Sequence, residues 1–159
     1  MSHFSLVKIN VGIVRSEGRF LFAYDSESGW VRKDGTIEVP YRNGPVTLQF
    51  QLKTANVELT LGKVKHTLPI SFGLGDRTTG RHALRIWRPD DDGYAFPTSV
   101  FSSPALSGGK RGRPPTVGTT DENKVPAEYC YCLAFGVHLP DGEVLVKYDD
   151  PRIKNGGNV

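Results

Sequence analysis

Cysteine is nearly absent from this chain. The two present, Cys130 and Cys132, sit two apart in one stretch, so there is no disulfide framework. A bridge between residues two apart on one strand has poor geometry. As soft-metal ligands, two thiolates make half of a tetrahedral zinc or copper(I) site, and His3, His66, His82 and His138 are scattered. Core packing, the common fate of a free cysteine, is the expectation, with no metal and no cofactor.

A strong charge of one sign is also missing. The formal net charge is +3, small for a protein whose whole surface binds a polyanion. No apolar run approaches the roughly 18 residues of a membrane-spanning helix. The first residues, Met1 to Val7, lack a basic segment leading into a long apolar one, and there is no Asn-x-Ser/Thr acceptor. These features point to a cytoplasmic protein in a bacterium-like setting, with no membrane partner. No window longer than about ten residues carries apolar side chains at helical spacing between caps.

Enzyme signatures are missing as well. Gly73-Leu74-Gly75-Asp76-Arg77-Thr78 opens like a dinucleotide fingerprint, but Thr78 stands at the third glycine and no helix follows to hold phosphate. The chain contains no Gly-x-x-x-x-Gly-Lys-Ser/Thr, His-Glu-x-x-His or Gly-x-Ser-x-Gly, and no carboxylate pair that spacing alone brings together. The sequence selects no catalytic residue.

What is present is alternation. With 38% hydrophobic residues, 18 glycines and 11 prolines, the chain suits many short strands joined by turns. Phe4 to Val14, Arg19 to Tyr24, Val57 to Val64, His66 to Phe72 and His82 to Trp87 all read as strands. Trp30 to Val39 turns on itself at Asp34-Gly35, and Val46, Leu48, Phe50 and Leu52 line one face of another strand. Tyr129 to Phe135 is apolar on both faces, large on one and small on the other, as a central strand would be. A hairpin signal follows at Pro140-Asp141-Gly142.

About nine or ten strands at intervals near ten residues predict one domain over residues 1–159. Its class is all-β: an antiparallel β-sandwich of immunoglobulin-like or cupredoxin-like outline. Residues 102–126, rich in Ser, Gly, Pro and Thr, are expected to form one long flexible loop. Sheet edges offer a route to a homo-oligomer.

Three clusters carry binding chemistry. Trp30, Trp87 and Tyr94 lie near turns, where they would stack on a sugar face beside carboxylates; burial in the core is the alternative for both tryptophans. Asp90-Asp91-Asp92-Gly93 offers oxygens to calcium but lacks the spacing of an EF-hand loop, so a turn is the simpler reading. Gly109 to Pro115 is a basic loop segment. It resembles the AT-hook, whose Arg-Gly-Arg-Pro core lies extended in the narrow minor groove of A·T-rich DNA. That resemblance implies Arg111 and Arg113 entering the groove, Gly112 permitting close approach and Pro114 holding the backbone extended, with Lys110 part of the same DNA-binding segment.

Near the C-terminal end, Asp121-x-Asn123, Tyr129-x-Tyr131 and Asp150-Pro151-x-Ile153-x-Asn155 form a further pattern. Asp121 and Asn123 suit an ordered corner entering the Tyr129 strand, Pro151 ends the strand before it, and Asn155 helps the tail turn. The pattern resembles that of short bacterial β-sandwich proteins and is loosely similar to the PixA/AidA type of inclusion-body proteins. The resemblance implies a β-sandwich and a lectin-like role. The expectation is therefore a non-catalytic module that recognises a glycan or protein partner through loops and a sheet edge. DNA association through residues 109–115 and a hydrolase on a sandwich scaffold are the alternatives.

Overall fold

A computed structural model describes residues 5–40, 43–73, 80–91, 93–108 and 113–156. It is an all-β sandwich. The strands are β1 (Ser5–Ser16), β2 (Arg19–Asp25), β3 (Ile37–Val39), β4 (Val46–Leu52), β5 (Asn56–Leu61), β6 (Val64–Phe72), β7 (Leu84–Trp87), β8 (Ala105–Ser107), β9 (Thr116–Asp121), β10 (Ala127–His138), β11 (Val144–Asp149) and β12 (Arg152–Asn155). One helical turn, α1 (Gly80–Ala83), precedes β7.

The first sheet runs β2-β1-β4-β9-β8, and the second runs β3-β12-β10-β6-β5 with β7 and β11 also against β10. Alternation explains the core between them. Val7, Ile9, Val11 and Ile13 of β1, and Val46, Leu48, Phe50 and Leu52 of β4, are all buried. Facing them, β10 contributes Tyr129, Tyr131, Leu133, Phe135 and Val137. Phe50 and Tyr131 meet across the sheets with ring centroids 5.3 Å apart, and Phe22 meets Phe135 at 5.2 Å.

β10 is long enough to take two partners on each side. Its first half pairs with β12 and β7, its second with β11 and β6. The seam between β11 and β12 falls at Asp150-Pro151, where proline offers no ladder donor. The Pro151 carbonyl still accepts the Tyr131 N–H at 3.0 Å. This is how the predicted central strand and its terminating proline operate together.

The observed strands depart from the expected pattern in three respects. Two pairings, β1 with β4 and β3 with β12, are parallel, so the sandwich is mixed rather than wholly antiparallel. The described residues form twelve strands against the expected nine or ten, since β3 and β8 span only 3 residues each. Segment 102–126 is not one loop: it holds β8 and β9. β9 is built largely of threonine and glycine, so hydrophobic alternation misses it, yet β-branched threonine suits a strand. Its Val117 is fully buried, and polar bonds stitch it to Ser102: Thr119 Oγ1 donates to Ser102 O (2.6 Å) and Thr120 N to Ser102 Oγ (2.8 Å).

Candidate functional site

The outer face of the seven-stranded sheet is shaped by a contrast in side-chain size. Along β10 the outward residues are Cys130, Cys132 and Ala134, all small. In register, Trp87 lies opposite Cys130, Arg85 opposite Cys132, and Tyr148 of β11 opposite Ala134. β7 presents Arg85 and Trp87 because Leu84 and Ile86, the alternate positions, are buried in the core. Large side chains thus flank a low floor, enclosing a cleft of about 580 Å³ lined by His82, Arg85, Trp87, Tyr94, Phe96, Cys132 and Tyr148.

Tyr94 is erected over this cleft by the turn that follows β7. Asp91 N donates to Arg88 O (3.0 Å), Tyr94 N to Asp91 O (3.2 Å), and Asp91 Oδ1 accepts Gly93 N (2.9 Å). Tyr94 itself has φ of +53°, a left-handed conformation that costs a non-glycine residue of order 1 kcal/mol. Its ring stands edge-on to Trp87, with centroids 5.7 Å apart and planes at 74°. Tyr94 is 69% exposed and Tyr148 61%, so two tyrosine faces and a half-buried indole are open to solvent around one concavity.

Burial pushes the Cys132 thiol up to about 11, and Asp150 nearby pushes the same way, so the sulfur stays protonated at neutral pH. A protonated thiol is neither a strong nucleophile nor a ready metal ligand. Cys130 is buried beside it. Among the described residues, no three His, Cys, Asp or Glu side chains gather as a metal-holding group.

The structure sorts the sequence-predicted residues. Trp87 and Tyr94 come together, whereas Trp30 is half-buried against the core and lies outside the cleft. Asp91 shapes the turn rather than offering a ligand set, and Asp90 borders a separate depression with Arg88, Glu122 and Tyr129. Asp92 lies outside the described residues. So do Lys110, Arg111 and Gly112 of the AT-hook-like segment; Arg113 is exposed and Pro114 half-buried at the entry to β9. Tyr148 was not singled out from sequence. Alternation along β11 marks its face, but only the pairing with β10 brings it opposite Ala134 and into the cleft with Trp87.

The C-terminal corner is a second polar assembly. Asp121 Oδ1 accepts from Asn123 N (3.0 Å) and from Asn155 Nδ2 (2.8 Å), and Asn123 Nδ2 donates to Pro40 O (2.9 Å) and Gly44 O (3.3 Å). Asp121, Asn123 and Asn155 are fully or almost fully buried. Burial pushes the Asp121 carboxyl up to about 6, against the two hydrogen bonds that favour its charged form. No described helix is long and apolar enough to cross a membrane. No protein-family model matches the chain, and no curated protein matches it.

Proposed function

We propose that this chain is a non-catalytic binding module whose ligand is a glycan held in the cleft between Trp87, Tyr94 and Tyr148. The observation that carries this reading is the Trp87–Tyr94 edge-to-face pair beside an exposed Tyr148 in one concavity. Sugar rings present flat C–H faces that stack on aromatic rings, and their hydroxyls take hydrogen bonds from neighbouring polar groups such as Arg85 and His82. The left-handed Tyr94 supports it, because strain at an exposed aromatic is more readily explained by a ligand than by packing.

Calorimetric titration with glycans selected from an array tests the proposal. Wild type binds with little dependence on salt, since stacking on a neutral ring releases few ions. Trp87→Ala and Tyr94→Ala each weaken binding by about tenfold or more while leaving the fold intact. Binding that is unchanged in both variants, or that collapses steeply with salt and is transferred to duplex DNA, would overturn it.

A further inference from the structure

We propose that Asp121, Asn123 and Asn155 form an inter-sheet site for a hard metal cation of the Na⁺ or Ca²⁺ type. The argument starts from hydrogen-bond accounting. The donors of this cluster are spent on holding it together: Asn123 N and Asn155 Nδ2 both reach Asp121 Oδ1, and Asn123 Nδ2 serves Pro40 O and Gly44 O. Three oxygens remain, Asp121 Oδ2, Asn123 Oδ1 and Asn155 Oδ1, each buried and receiving no hydrogen bond from the described chain. Buried acceptors are ordinarily satisfied, and leaving one without a partner is costly. Three in one cluster, one of them on a carboxylate, call for a positive partner.

The charge balance agrees. Among the described residues, the charge acting on Asp121 is that of Glu122, also negative, and no cationic side chain offsets the buried carboxylate. Tyr129 is also coupled to it and in turn feels Arg88. A carboxylate with two amide oxygens is the all-oxygen set that hard cations prefer. Asp121 and Asn155 meet at a single junction, and Asn123 is tied to it through its own backbone N–H.

Placement gives the site a role. Asp121 ends β9 in the first sheet and Asn155 ends β12 in the second. Asn123 reaches Pro40 beyond β3 and Gly44 before β4. A cation here would clamp the two sheets at one end of the sandwich.

The test is thermal unfolding of chelator-treated full chain against added Ca²⁺ or Na⁺, with choline chloride at matched ionic strength as control. A saturable, cation-specific rise in Tm of about 2–6 °C is expected at neutral pH. It is absent in Asp121→Asn and retained in a variant carrying both Asp90→Asn and Asp91→Asn. Tyrosine-sensitised Tb³⁺ luminescence on wild-type protein, displaced by Ca²⁺, reads occupancy directly should Asp121→Asn fail to fold; Tyr129 is the nearby sensitiser. The proposal is overturned by any of three results: no response beyond choline together with no Tb³⁺ signal, a response that survives Asp121→Asn, or one that is lost with Asp90 and Asp91.

Discussion

The Tyr24 hydroxyl donates to Asp149 Oδ2 at 2.6 Å, joining β2 of one sheet to β11 of the other. Burial holds the phenol far above its ordinary range, so it remains a donor at every pH at which the fold persists. Tyr24→Phe removes the bond while keeping the ring, and should cost about 1–2 kcal/mol, the upper part of the range for neutral pairs because the acceptor is charged. Urea unfolding gives the answer; a midpoint equal to wild type would show the bond contributes nothing net.

Gly35 lies against the same tyrosine. Its φ is +91°, and a Cβ there would fall 2.8 Å from Tyr24 Cε2 and 2.9 Å from Pro151 Cγ. Its carbonyl also accepts the Tyr131 hydroxyl. Gly35→Ala therefore combines left-handed strain with a steric clash, and should destabilise by about 2–4 kcal/mol. Gly142 offers the control: its φ is +90°, but nothing lies within 4 Å of the added Cβ. Gly142→Ala should cost only about 1 kcal/mol, the conformational part alone. Equal losses in the two variants would remove the clash from the explanation.

These contacts show where the sequence was readable. β4 was legible because Val46, Leu48, Phe50 and Leu52 alternate with polar residues, and β10 was legible as central because both its faces are apolar. The turn at Asp34-Gly35 was equally plain, with Thr36 N on Asp34 Oδ1 at 2.9 Å. β9 was not, since its strand character comes from threonine and from pairing with β4 rather than from apolar periodicity. The cleft was half legible. Trp87 and Tyr94 lie close in sequence, while Tyr148 joins them through a register between β10 and β11 that no local signal encodes. The Asp121–Asn155 bond spans 34 positions, so the corner's residues could be named but not their meeting across two sheets.

Asp121 makes stability depend on pH in a stated direction. Its folded carboxyl titrates near 6, above its unfolded value of 3.8. The stability it contributes is fully present below pH 4 and is lost as pH rises through 6, because the folded state must then hold an ionised buried group. With chelator present, Asp121→Asn removes this dependence while preserving the shape. The stability of the variant relative to wild type should therefore rise by up to about 3 kcal/mol between about pH 3 and neutral pH. Denaturant titrations of both proteins across that window measure the difference directly. A gap independent of pH would mean that the carboxyl does not titrate there.

Tyr94 is a position at which the proposed binding role and a packing role can be separated. The side chain is mostly exposed, touches Trp87 edge-on and sits in the left-handed region. Asparagine tolerates that region better than tyrosine does, so Tyr94→Asn exchanges a ring contact worth about 1 kcal/mol for a relief of similar size. Stability should stay within about 0.5 kcal/mol of wild type. Glycan affinity should fall by about tenfold or more, because one wall of the cleft is gone. Two measurements on one purified variant decide the matter: the urea midpoint and the titration isotherm. A variant that unfolds early but binds normally once folded would mark Tyr94 as a packing residue. One that folds normally and binds poorly assigns the Tyr94 ring to ligand recognition.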